Sequence, residues 1–220
     1  MKSTSINTFL NDLAKEGSKK NFDFCYVKEG RYYNDLFGIS FKIPNEWFIV
    51  SMENYDEAID KQTFVGEYEH YKDELEAFQE HPSFMVTKHD PNSDKYYGLV
   101  SPTLNFSIIA KSPDYEDHSL KDYADLIDSQ DGFGYPMLKK FRVTNKSDVF
   151  SIKGFDYIQY DTEYLFQHKE LEFGIMVELS ILNIDFGDFF LDFSMTDCKE
   201  QNQVETEIFN EIINSLELKR

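Results

Sequence analysis

A chain of 220 residues with 21 Phe and 14 Tyr is long enough to bury one substantial core. Its 41 Asp and Glu against 22 Lys and Arg leave a net charge of −19. Such a surface repels nucleic acid and anionic membranes, whose phosphates must be met by Lys and Arg.

The N-terminal stretch MKSTSINTFLNDLAKEG places Ile6, Phe9, Leu10 and Leu13 on one helical face, with Ser3, Thr4 and Ser5 as capping residues. It lacks the continuous apolar core of a signal peptide, and no apolar run nears the roughly 20 residues that span a bilayer. The chain is therefore expected to be cytoplasmic and without a membrane insertion. Cys25 and Cys198 form no metal or redox spacing, and nothing supports a disulfide between them in a cytosolic chain.

After the connector KEGSKKN, the stretch NFDFCYVKEGRYYND predicts two extended pieces with a turn at Glu29-Gly30. In LFGISFKIPNEW, Phe37, Ile39, Phe41 and Ile43 alternate with Gly38, Ser40 and Lys42, the period of a half-buried strand. Pro44 must end that strand, and Asn45-Glu46 supplies a bend. The next strand, WFIVSM, is then expected to fold back as a hairpin, with Trp47 packed onto the core beside the turn and buried or largely buried.

Residues 53–80 hold 10 Asp and Glu against 2 Lys. Tyr68, Tyr71, Leu75 and Phe78 recur at helical spacing, so an acidic helix with one apolar stripe is predicted there. SFMVTK predicts a short strand, HDPNSDKYYG an exposed loop, and Thr103 to Lys111 a further strand. SLKDYADLIDSQ follows as a helix capped by Ser119, burying Leu120, Tyr123, Ala124 and Ile127.

Strands then dominate, carrying Phe141, Val143, Val149, Ile152, Phe155 and the alternating Ile158, Tyr160 and Tyr164. FGIMVELSILNIDFGDFFLDFSMT predicts a hairpin, with Ile175, Val177, Leu179 and Ile181 in one arm and Phe189, Leu191, Phe193 and Met195 in the other. Gly187 lies near its turn. A last helix shares Phe209, Ile212, Ile213 and Leu216 on one face.

The fold expected from these pieces is α+β, a curved antiparallel β-sheet sandwiched by helices in a single domain over 1–220. Residues 1–20 would be an N-terminal helix and connector, and 53–80 an acidic helical insertion.

The order of the pieces resembles the PsbP-like superfamily over about residues 33–218. Gly38, Ile39, Phe41, Pro44 and Trp47 match its opening pattern Gly-Ile-x-Phe-x-x-Pro-x-x-Trp, and Phe209, Ile212, Ile213, Ser215 and Leu216 its closing helix. Gly154 to Tyr157 resembles its glycine-led central strand. The resemblance implies an α/β/α sandwich shared with a Ran-binding nuclear-transport factor and with bacterial type VI secretion effector adaptors. Such domains mostly bind proteins without doing chemistry, and the family has no catalytic motif to carry over.

The residues themselves offer little chemistry. His70, His81 and His89 with Glu67, Glu74 and Asp90 form no His-Glu-x-x-His and have no Cys pair, so no metal and no cofactor is expected. Asp185-Phe186-Gly187 imitates a kinase tripeptide without its glycine-rich loop or His-Arg-Asp, and reads as a hairpin turn. Lys139, Lys140, Arg142 and Lys146 make a small basic cluster, read as a solvated strand end.

Two functions follow. The first is a non-catalytic protein-binding module of adaptor, chaperone-like or inhibitor type, whose acidic surface steers a neutral or basic protein. Its expected contact residues are Glu67, Glu69, Asp73, Glu76, Asp114, Glu116 and Asp117, with Asp122, Asp125 and Asp128 beside them. The second is a small hydrolase or metal-dependent enzyme using carboxylates and histidines that no motif betrays.

Overall fold

The structure, a computed structural model, describes residues 25–50, 84–93, 100–111, 119–129, 139–166, 173–198 and 206–219. The expected N-terminal helix and the acidic helix of 53–80 lie outside the described residues. The chain divides into two compact units, Met1–Asn45 with Thr206–Arg220, and Glu46–Glu205. Among the described residues every strand pairing is antiparallel, and the strands form two sheets where the sequence predicted one.

In the first unit β1 (Cys25–Lys28) and β2 (Arg31–Asn34) form the expected hairpin. Glu29 and Gly30 both take positive φ, 51° and 70°, as a tight two-residue turn demands. β2 then pairs with β3 (Ile39–Lys42), whose far edge takes a two-residue strand from the chain's end, Glu217–Leu218. The helix that precedes this end piece, Thr206–Asn214, packs on β3 and buries Phe209 and Ile212. Its other predicted core residues, Ile213 and Leu216, stay half-buried. Tyr32 and Phe41 are buried with ring centroids 5.0 Å apart.

The expected hairpin through Pro44 does not form. β4 (Phe48–Ile49) pairs with β5 (Phe84–Thr87) in the other sheet. Both edges of β3 are already occupied, by β2 and by Glu217–Leu218, so it has no edge to offer β4. Pro44 and the turn at Asn45-Glu46, with Glu46 at φ 64°, end the strand as predicted, but they release the chain instead of reversing it. Trp47, expected to be buried or largely buried, has intermediate exposure.

The opening glycine of the motif has a specific cause. Gly38 sits at φ 63°, and a Cβ there would stand 2.7 Å from the Lys219 carbonyl oxygen. Lys219 N donates to Gly38 O at 2.9 Å, so the chain's end is seated against this glycine. Ser215 completes the clasp: Lys42 N donates to its Oγ at 2.8 Å, and Arg31 Nη2 to its carbonyl at 2.7 Å. Gly38→Ala is therefore expected to cost about 1–2 kcal/mol, from the strained φ and the clash together. Denaturant unfolding measures it, and a neutral substitution would contradict this account of the glycine.

The second unit is built on the strand order β4-β5-β6-β11-β10-β9-β7, with β8 also on β9. The remaining members are β6 (Thr103–Ala110), β7 (Lys139–Lys146), β8 (Phe150–Ile152), β9 (Phe155–Phe166), β10 (Ile175–Asp185) and β11 (Phe189–Asp197). The β10/β11 turn is the one expected at Asp185-Phe186-Gly187. Gly187 takes φ 76°, its N–H donates to Asp185 Oδ1 at 3.0 Å, and Phe186 N donates to Phe189 O at 2.9 Å.

Helix α1 (Leu120–Ser129) follows β6. Ser119 caps it as predicted: Asp122 N donates to Ser119 Oγ at 3.2 Å, while Ser119 N donates back to Asp122 Oδ2 at 2.9 Å. α1 packs Leu120 and Ala124 against Ile158, Tyr160, Ile181 and Phe190. Among the described residues no helix is long and apolar enough to cross a membrane.

Candidate functional site

Antiparallel partners share a face, so the register fixes what lies under and beside α1. Tyr160 on β9 stands opposite Ile181, and Asn183 two residues on stands opposite Asp192 of β11. The Tyr160 hydroxyl donates to Asn183 Oδ1 at 2.8 Å, and Asn183 Nδ2 donates to Asp192 Oδ2 at 2.7 Å. Burial pushes the Asp192 carboxyl up to about 6, against smaller lowering effects from its Asn183 and Ser194 hydrogen bonds. Burial, aided by the nearby Asp192 charge, also holds the Tyr160 phenol well above its ordinary value. Next to this row Asn105 of β6, opposite Ser194, has a buried side-chain oxygen with no hydrogen-bond partner.

On the other face three carboxylates align across three strands: Glu178 of β10 lies opposite both Glu163 of β9 and Asp197 of β11. Arg142 of β7 answers the first of them, at 2.6 Å from Glu163 Oε1. Like charges placed opposite one another weaken a sheet, so this arrangement needs that guanidinium. Among the described residues no group of three or more His, Cys, Asp or Glu could hold a metal ion. His70 and His81 lie outside the described residues, while His89 sits beyond β5 with its N–H donating to Ser101 Oγ at 3.0 Å.

The predicted contact residues Glu67, Glu69, Asp73, Glu76, Asp114, Glu116 and Asp117 also lie outside the described residues. Of the acids expected beside them, Asp122 caps α1, and Asp125 accepts from Lys121 at 2.9 Å and from Lys146 at 2.5 Å. Both lysines hold the Asp125 carboxyl below its ordinary range. In the basic cluster Lys146 and Arg142 are thus engaged in ion pairs, and Lys140 is exposed. Cys25 and Cys198 are both thiols, the first exposed and the second buried.

Exposed apolar side chains concentrate on edge strands. Among the described residues they are Tyr26 and Val27 on β1, Phe48 and Ile49 on β4, and Phe150 and Ile152 on β8, with Val149 just before it, while Leu36 and Phe173 are exposed outside the strands. The sequence signalled the apolar residues but not their exposure, because a short alternating run looks the same on a core face and on an open edge.

No protein-family model matches the chain, and no curated protein matches it. Solved structures do. The chain is similar to the solution structure of cyanobacterial PsbP (CyanoP) from Synechocystis sp. PCC 6803, with TM-score 0.50 and 12% identity, covering 86% of this chain and 91% of that one. It is similar to PA94 from Pseudomonas aeruginosa, a protein of unknown function, with TM-score 0.44 and 15% identity over 64% of this chain and 87% of that one. A protein from Bacteroides thetaiotaomicron VPI-5482 matches with TM-score 0.42 and 15% identity, over 83% of this chain and 46% of that one. At such identities the first likeness is one of fold: the chain has a PsbP-like, mainly antiparallel α+β fold.

Proposed function

We propose that this chain is a non-catalytic protein-binding module that uses an acidic surface to engage a neutral or basic protein partner. The observation that carries this reading is the placement of exposed aromatic and aliphatic side chains on edge strands of a chain with net charge −19. Apolar side chains on an unpaired edge invite aggregation unless a partner uses them, and strong net charge keeps such a protein apart from its own copies. The acids of 53–80, with Asp114, Glu116 and Asp117, supply the long-range attraction in this reading.

The enzyme reading has one observation in its favour, the raised Asp192 carboxyl beside Asn183 and Tyr160, since perturbed carboxyls gather at active sites. The row nevertheless has the form of a satisfied structural network. Its amide and hydroxyl groups serve one another and the carboxylate, and it ends on a tyrosine packed in the core under α1.

The test is association kinetics with a partner recovered by affinity purification. The on-rate is expected to fall about tenfold between low and physiological salt, where screening shortens to about 8 Å. Changing Glu67, Glu69, Asp73 and Glu76 to Gln is expected to lower the low-salt on-rate similarly, with little change in thermal midpoint. An on-rate indifferent to both salt and the four changes overturns the acidic-surface reading.

A further inference from the structure

We propose that β8 is an open docking strand, whose outer edge pairs with an extended segment of a partner protein carrying alternate apolar residues with Lys or Arg between them. The proposal rests on the protein-binding reading and names its surface and the shape of the bound segment.

β7 and β8 lie end to end along one edge of β9. β7 pairs from Leu165 to Tyr160, and β8 from Tyr157 to Phe155. The two halves of this edge are built differently. β7 carries Lys139, Lys140, Arg142 and Lys146, and its register slips twice, between Lys139 and Arg142 and between Val143 and Asn145. Lys140 is at φ 57°. Charge and bulges of this kind are how proteins keep an edge from pairing. β8 has neither. Its three residues, Phe-Ser-Ile, hold an unbroken register, and Phe150 and Ile152 stand on one face at 38% and 49% exposure.

The backbone of β8 is presented as well. Lys153 and Gly154, at φ 52° and 84°, close a two-residue turn. In such a hairpin Ile152 and Phe155 exchange their hydrogen bonds with each other, so the N–H and C=O of Ser151 face away from β9. Among the described residues no strand pairs with that outer side. The strand is also held in shape. Phe150 stacks on Tyr157 with centroids 5.6 Å apart, Phe155 stacks on Phe186 at 5.4 Å, and the Ser151 hydroxyl is bonded to the Asp156 carboxylate. A preformed strand loses little further freedom on binding.

Charge selects the occupant. Asp148 precedes β8, Asp156 faces Ser151 across the hairpin and Asp188 lies in the β10/β11 turn, all three exposed, against Lys153 at the hairpin tip. A basic segment is attracted, whereas a second copy would bring the same acids and a net −19 against itself. Three residues offer few backbone bonds, so the contact is short-lived and of modest affinity.

A synthetic peptide of about ten residues alternating Val and Lys is the probe. At low salt it is expected to slow hydrogen exchange at the Ser151 amide about tenfold or more, while the same peptide N-methylated at alternate residues binds at least about tenfold more weakly. Ser151→Pro removes the outward N–H together with the hydroxyl bonded to Asp156, and is expected to abolish binding, whereas Ser151→Ala, which removes the hydroxyl alone, keeps it. If that proline disturbs the hairpin, the solvent-facing Ile152→Lys reads the same loss through charge repulsion. Equal binding of the N-methylated peptide, an unprotected Ser151 amide or indifference to both Ser151→Pro and Ile152→Lys overturns the proposal. Binding that survives these changes yet disappears in the Glu67, Glu69, Asp73 and Glu76 to Gln variant leaves the acidic-surface reading standing. Self-association in sedimentation that Ser151→Pro abolishes would make a second copy the occupant and overturn the one named here.

Discussion

Phe193→Ala is expected to lower the free energy of unfolding by about 3–5 kcal/mol, the range for large aromatic deletions from cores. Phe193 lies on β11 in the middle of the larger sheet, paired with Phe106 of β6 on one side and Leu182 of β10 on the other. It has no solvent exposure, as has Phe106, and the two rings stand 4.7 Å apart. Neighbours held on both sides by strand pairing cannot collapse into the space left behind, so the cavity contribution adds to the lost burial. Chemical denaturation with an unchanged slope measures the cost. Trp47→Ala, at a half-buried position just before β4, is expected to cost less than Phe193→Ala. If the order is reversed, the core of the second unit has been placed wrongly.

The edge that β4 joins departs from the expectation set by sequence, and the reason is physical. Local signals survive into the structure: the turn residues Glu29-Gly30 and Gly187, the Ser119 cap, and the alternation through β10 and β11. Each depends on residues within a few positions of one another. Which edge a strand joins does not. Glu217–Leu218 has no periodic pattern of its own, yet by taking the far edge of β3 it leaves β4 to pair with β5. Arg31 likewise reaches Ser40 and the Ser215 carbonyl, the latter 184 positions away, and nothing around Arg31 announces it. The motif glycine and the motif serine were legible as residues, but their shared purpose of seating the chain's end shows only in three dimensions.

The candidate sites were less legible than the fold. With 41 carboxylates, no spacing singles out one of them. Asp192 alternates with Phe189, Leu191 and Phe193 on the strand pattern and so reads as solvent-facing. The register instead sets it opposite Asn183, in the row that begins under α1. Val149 and Ile152 err in the opposite direction, reading as core and standing exposed.

Asp192 carries the other large prediction. The carboxyl is enclosed by its neighbours, although the residue as a whole keeps intermediate exposure, and burial raises it from 3.8 to about 6. A group raised on folding binds its proton more tightly in the native state than in the unfolded one. Below about pH 3.8 both states are protonated, and the native state has its full relative stability. As pH rises from there to about 6 the unfolded chain loses its proton first, so stability falls, and above 6 the loss is complete. At about 1.4 kcal/mol per pH unit the fall amounts to roughly 3 kcal/mol, an upper value because partial exposure lets water share the charge. Asp192→Asn keeps an oxygen to accept from Asn183 Nδ2 and removes the ionisation. Other carboxylates titrate in the same range, so the informative quantity is the difference between the variant and the natural chain. That difference is expected to move in favour of Asp192→Asn by up to about 3 kcal/mol between pH 4 and pH 7, and to stay level above. Parallel stability curves for the two proteins across that window would mean that Asp192 titrates as a solvated carboxylate, and that its row under the sheet is open to water.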